Sequence, residues 1–231
     1  MQLDLNELRI KLNQLTERLL SRIKDRSRYP LNYMVYKPGA IKIVSKNKLS
    51  FLEFAVEQKE KYYASLGRYN YPDQYPITKS PLPESSVDRF KPASPLADVD
   101  LAISGDILNY YLDLLKKICL DKEDKEYFGE TVDCDTEILE LLNERINLGR
   151  FVAEFKIRQD ENIKTVLNNS KDLLDKLTYP EREKQVISNA LKIAEYYQLP
   201  LNVIKELFKW IIEQTKIVEV DYLQKTYIKN P

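Results

Sequence analysis

The chain has 231 residues but no histidine, two cysteines and five glycines, and each scarcity closes off chemistry. Without histidine there is no Ser-His-Asp or Cys-His nucleophile and no histidine-built zinc site. Cys119 and Cys134 stand alone with no CxxC spacing, so they read as inert packing residues of a reduced, cytoplasmic protein. Neither GxGxxG nor GxxxxGKS/T occurs, and so few glycines do not build a phosphate-cradling loop. No metal and no cofactor is expected. Charge of one sign is also missing. Lysine plus arginine and aspartate plus glutamate both count 36, leaving no global field for nucleic acid or an anionic membrane. No stretch approaches the ~20 apolar residues of a membrane span. The opening MQLDLNELRIKLNQ alternates leucine with charge, unlike a signal or transit peptide. With 43% hydrophobic and 31% charged residues, a soluble globular protein remains, long enough for one substantial core or two small ones. If it is an enzyme, its reaction needs little proton transfer, or takes it from carboxylates and lysine.

What the chain does have is helical periodicity. Residues 4–28 carry leucines at 5, 8, 12, 15 and 19, a 3-4 spacing suited to packing against other helices. Tyr29–Pro30 and Pro38–Gly39 end that helix. Ser50 followed by Glu53 reads as a capping box, opening a helix that runs to about Leu66. Further helices are expected over Ser104–Leu120 and over about 135–158, 161–177, 180–197 and 200–226, with Pro180 and Pro200 at helix starts. Six of the eleven prolines fall between residues 72 and 95. Residues 67–103 therefore read as mostly surface connection, with one helical turn around Ser86–Phe90. β-Branched alternation is confined to Ile41–Val44, within the basic run Lys42–Lys48, which reads as a solvated strand-like loop. The expectation is one all-α domain over 1–231, a helical bundle with a long Pro-rich connection.

The chemistry sits on the apolar stripes. Arg145 and Lys156 lie eleven residues apart, about 20° from three full turns, and continue the stripe Ile138, Leu141, Leu142, Leu148, Val152. Thr215 and Glu219 continue Leu207, Phe208, Ile211 and Ile212. Glu183 precedes Val186, Ile187 and Ala190 at helical spacing, and Arg9 lies at the edge of the first leucine stripe. A buried unpaired charge costs several kcal/mol. Inward arginines, lysine and glutamates therefore point to an anionic ligand.

The segments LNERINLGRFVAEFK (142–156), REKQVI (182–187) and LFKWIIEQTKIVEVDYL (207–223) resemble the active-site helices of the all-helical chorismate mutases. SFLEFAVEQKEKYYASLGRYNYPDQYP (50–76) and EYFGETVDCDTEIL (126–139) resemble the eukaryotic, yeast-like branch, in the same order. The likeness covers about Leu5 to Gln224. It implies rearrangement of chorismate to prephenate in phenylalanine and tyrosine biosynthesis, a pericyclic step with no covalent intermediate, performed by a homodimer. It also implies roles. Arg9 and Arg145 match carboxylate-binding arginines, and Lys156 matches the lysine on the ether oxygen and a carboxylate. Glu183 matches the acceptor of the ring hydroxyl, and Thr215 a side-chain carboxylate contact. Glu219 matches the group on the other side of the ether oxygen, where a glutamate must be protonated to donate. Tyr179 stands where the family has asparagine or aspartate. At the family's regulatory site, an arginine pair and a Gly-Ser-x-x-Thr loop are replaced by Gly67, Arg68, Gly129, Glu130 and Asp133, so feedback by tyrosine and activation by tryptophan are not expected.

Each stripe charge also has an ordinary reading. Arg145 could pair structurally with Glu183, Thr215 could bond its i−4 carbonyl, Lys156 could snorkel, and Arg9 could be a surface residue. Two other functions use the same scaffold: pyruvate elimination from isochorismate, and a catalytically inactive helical interaction protein.

Overall fold

A computed structural model describes residues 4–43, 48–99, 101 and 104–228, excluding the side chains of 104–106. The described residues form α-helices and short 3-10 turns and no strand: α1 Leu5–Arg26, α2 Phe51–Ser65, α3 Ser104–Ile118, α4 Phe128–Asn147, α5 Gly149–Gln159, α6 Ser170–Leu177, α7 Pro180–Tyr196 and α8 Leu201–Tyr227. They divide into two compact units. One takes the described residues within Met1–Glu17, Pro92–Ile103 and Glu144–Pro231; the other takes those within Arg18–Lys91 and Ser104–Asn143.

In the first unit α8 packs against α5, α6 and α7. Its buried stripe includes Ile204, Leu207, Phe208, Ile211, Tyr222 and Leu223, and α7 meets it through the small buried residues Ala190 and Ala194. The turn between them is tight. Gln198 takes a left-handed conformation (φ 57°), and the Leu199 N–H donates to the Ala194 carbonyl at 2.9 Å, closing α7 before Pro200. Buried Glu154 of α5 ties this unit together. It accepts from Tyr222 Oη at 2.8 Å, from Tyr227 Oη at 3.0 and 3.1 Å, and from Arg158 Nε at 2.7 Å. Arg158 Nη2 donates on to the Pro95 carbonyl at 2.9 Å, and the Ala97 N–H to Tyr222 Oη at 3.2 Å. The last stretch of the Pro-rich connection is thereby fastened by main-chain contacts.

The second unit is built around an ion pair with no solvent exposure. Arg26 Nε donates to Asp135 Oδ1 at 2.6 Å, and Tyr111 and Tyr36 donate to the same carboxylate at 2.5 and 2.6 Å. The remaining guanidinium N–H groups go to the carbonyls of Tyr29, Pro30 and Leu31, to Tyr36 Oη and to Cys119 Sγ. Every polar group here has a partner, so removing one strands the rest. Asp135→Ala is expected to lower stability by ~3 kcal/mol or more, read as a drop in the urea midpoint. A loss below ~1 kcal/mol would show that the network is not holding this unit. Cys119 and Cys134 are free and half-buried, and burial raises both thiols to about 11. That suits packing rather than reactivity.

Several sequence expectations shift. The capping box is present: Ser50 Oγ accepts from the Glu53 N–H at 3.1 Å, and the Ser50 N–H donates to Glu53 Oε2 at 2.7 Å. The helix expected over 135–158 begins earlier, at Phe128, and is interrupted at Leu148, beside a glycine, giving α4 and α5. The helix expected over 161–177 is a 3-10 stretch, Glu161–Val166, then α6, because Asn169 caps a fresh start by accepting from Lys171 and Asp172 N–H groups. No helical turn forms at Ser86–Phe90. There the Ser86 N–H goes to the Ser65 carbonyl and Arg89 to the Leu66 carbonyl, so these groups serve the end of α2 instead. Of the strand-like loop, Val44 and residues 45–47 lie outside the described residues, and Ile41–Ile43 are not in a strand.

Candidate active site

All seven substrate-site residues singled out from the sequence line one cavity of about 590 Å³: Arg9, Arg145, Lys156, Tyr179, Glu183, Thr215 and Glu219. That volume suits a small polar metabolite. Their helices bring them there by periodicity. The break at Leu148 occupies a single residue with helical backbone angles, so Arg145 on α4 and Lys156 on α5 keep the same face. Gly149 sits where α5 crosses α8. A Cβ there would meet Thr215 Cγ2 at 2.9 Å, the Thr215 carbonyl at 3.0 Å and Glu219 Cγ at 3.6 Å. Only glycine allows this approach.

The charges are arranged unequally. Lys156 Nζ donates to Glu219 Oε2 at 2.7 Å and to the Leu177 carbonyl at 2.6 Å, and the Tyr179 ring lies 5.1 Å from it. Lys216 Nζ stands 3.4 Å from Glu183 Oε1. Arg145 has no such partner: it is 6% exposed, its Nε makes no hydrogen bond, and its guanidinium lies 5.4 Å from the Phe208 ring centre. Burial, and then the nearby Arg182 guanidinium, pull Arg145 down to about 10. Arg182 is lowered in the same way, by burial and then by Arg9. With Arg182 close enough to act on Arg145, and Arg9 on Arg182, this side of the cavity favours an anion of more than one charge.

Glu219 is held above the ordinary carboxylate range. Burial raises it, Lys156 and then Lys216 oppose this, and Glu183 raises it further. Thr215 lines the cavity, and its Oγ1 donates to the Ile211 carbonyl at 2.7 Å, which commits the hydroxyl hydrogen to its own helix. Tyr179 precedes Pro180 at the start of α7 and is half-exposed.

The structural pairing of Arg145 with Glu183 does not form, since Glu183 is turned to Lys216. Nor does Lys156 snorkel; only 16% of its side chain is exposed. Arg9 is exposed and lines the cavity as well. Among the cavity residues that escaped the sequence reading are two cations, Arg182 and Lys216. Each neighbours a residue that was noticed, Glu183 and Thr215, but Arg182 sits in the charged run Glu181–Lys184, which resembles a solvated face, and Lys216 is a single lysine between Thr215 and Ile217. The residues matched to a regulatory site lie in the other unit. Arg68 Nε donates to Gln74 Oε1 at 2.8 Å and its guanidinium lies 4.5 Å from the Tyr63 ring, while Gly129, Glu130 and Asp133 are exposed on α4.

Known proteins give the same picture. The family model for chorismate mutase type II matches residues 128–220. A chorismate mutase of Trichoderma parareesei is 29% identical over 98% of this chain and 94% of its own length. A maize relative named as the cytosolic chorismate mutase 2 is 29% identical over 96% and 95%. The crystal structure of a Candida albicans chorismate mutase in complex with L-tryptophan superposes with a TM-score of 0.90 at 26% identity, covering 99% of this chain and 93% of that one. Along nearly its whole length, the chain is similar in sequence and in fold to eukaryotic, all-helical chorismate mutases, the family model itself matching its C-terminal part.

Proposed function

We propose that the protein rearranges chorismate to prephenate, an isomerase step of phenylalanine and tyrosine biosynthesis, in the cavity lined by Arg145 and Glu219. The observation that carries the reading is the division of charge. Glu183 and Glu219 are paired with cavity lysines and Glu181 with Lys184, while among the described residues no carboxylate pairs with Arg9, Arg145 or Arg182. A dicarboxylate neutralises that surplus. Arg145 takes one carboxylate in the buried part of the cavity and Arg9 serves the other from an exposed position.

The reaction is unimolecular: an ether C–O bond breaks as a C–C bond forms, and nothing is added or lost. The protein has to hold the extended substrate in its compact conformer and stabilise charge gathering on the ether oxygen. Lys156 spends two N–H groups on Glu219 and Leu177 and keeps one for that oxygen. Glu219, in its protonated form, donates from the other side. Glu183 accepts from the ring hydroxyl. Tyr179 contributes its ring against Lys156, and Thr215 turns its hydroxyl from the Ile211 carbonyl to donate to a carboxylate.

The protein acts without a cofactor in this reading, as a homodimer in the cytosol, like the relative named cytosolic. Among the described residues no helix is long and apolar enough to cross a membrane. The two units share α1 and α4, which supports treating the chain as one domain. Regulation by aromatic amino acids is not expected, because Glu130 and Asp133 would repel an amino acid's carboxylate and Arg68 is engaged by Gln74 and Tyr63.

The test is chorismate consumption by the purified protein, with prephenate and pyruvate both quantified, and sedimentation for the dimer. Prephenate as sole product, at a rate unchanged by tyrosine or tryptophan, is the expected result. Pyruvate would indicate elimination instead, and no turnover by a folded protein would leave an interaction role.

A further inference from the structure

Glu219 and Glu183 are each held by a cavity lysine, and the Lys216–Glu183 pair has no counterpart in the roles assigned above. Lys216 on α8 stands 3.4 Å from Glu183 on α7, with the two side chains 20% and 29% exposed. It directly follows Thr215 and lies three residues before Glu219, so it and Glu219 are neighbours on one helix surface. We infer that Lys216 is the positioning residue of this site: it aims the Glu183 carboxylate at the substrate hydroxyl and sets the pH at which Glu219 loses its proton. The first half of this rests on the chorismate reading; the second does not.

The geometry supports both halves. At 3.4 Å the Lys216–Glu183 contact is looser than the 2.7 Å contact of Lys156 with Glu219. Glu183 can therefore accept a hydroxyl on one lone pair while keeping the ammonium on another. Without the lysine, a half-buried carboxylate near a second one turns outward or takes up a proton, and either change removes the acceptor. Glu219 meets charge from every side: Lys156 from α5, Glu183 from α7, Lys216 from its own helix, and in the same cavity Arg145 of α4, Glu181 and Arg182 of α7, Arg9 of α1, Asp160 just after α5 and the phenol of Tyr179 just before α7. Lys156 has the strongest hold on it. Lys216 acts in the same direction, while also holding Glu183, which acts in the other.

Lys216→Met should raise KM about fivefold and move the alkaline limb of the kcat profile upward by roughly half to one pH unit, because losing the cation outweighs any weakening of the smaller, opposing influence of Glu183 on Glu219. Lys216→Arg should restore the alkaline limb. In a Glu219→Gln background, Lys216→Met should no longer move it. Carbon-13 NMR titration of the glutamate carboxyls supplies a readout independent of turnover, with the Glu219 midpoint rising by the same interval in Lys216→Met. Loss of activity with an unmoved pH profile and an unmoved Glu219 titration would make Lys216 a merely structural residue. Failure of wild-type protein to form prephenate would overturn the functional reading alone, and the titration would still decide whether Lys216 governs Glu219.

Discussion

Replacing Arg145 should nearly abolish turnover and at the same time stabilise the protein. Arg145 is buried, stacked on Phe208 and without a carboxylate partner. Its charge is therefore unpaid for until an anion arrives. Truncating one side of a desolvated charge contact costs ~2–5 kcal/mol in binding. Each tenfold loss of kcat/KM corresponds to ~1.4 kcal/mol. Arg145→Met should thus lower kcat/KM on the order of a thousandfold, read as loss of chorismate absorbance. Methionine keeps much of the volume against Phe208 while discarding an uncompensated buried charge, so the urea midpoint without ligand should rise. Arg145→Lys should not rescue the rate, since a single ammonium cannot reproduce a planar, two-pronged grip on a carboxylate. Turnover above a tenth of wild type in Arg145→Met would disprove its place in the site. A fall in the midpoint would show that the charge is not stranded.

The second large effect concerns pH. Burial raises the Glu219 carboxyl above its usual range despite Lys156 at 2.7 Å. Below its pKa the group carries a proton and can donate to the ether oxygen; above it the group can only accept. The sign follows directly: kcat is full on the acid side and falls as pH rises through the raised pKa, about tenfold per unit. Glu219→Gln carries a donor at every pH. Its profile between pH 5 and 9 should be nearly flat, within a few-fold of wild type at the acid end and faster than wild type at the alkaline end. A steep alkaline loss persisting in the variant would place the titrating group elsewhere.

Much of this was legible in the residue order, for identifiable reasons. The leucine spacing of α1 and the capping box of α2 are local, and local rules found them. Arg145, Lys156, Glu183, Thr215 and Glu219 were conspicuous because each interrupts an apolar stripe. Arg182 and Lys216 were not. Each stands beside the stripe, and only the packing of α7 on α8 turns it toward the cavity. The pairing of Glu183 with Lys216 was not legible either, because it depends on how α7 packs against α8 across the turn at Gln198. Arg26 looked like a basic residue ending a helix. Its burial against Asp135, 109 positions away, has no local signature. The interruption at Leu148 left one trace, the glycine after it.

That glycine has a further consequence. With no side chain at 149, the α5 backbone lies against the Thr215 carbonyl and the Glu219 side chain. Thr215, Lys216 and Glu219 occupy little more than one turn of α8, so any wedge there displaces all three together. A carboxylate contact, a positioning lysine and the proton donor thus share one mechanical degree of freedom. Substitutions among them should combine non-additively. A change meant to retune one of them will be felt, through the helix, by the other two.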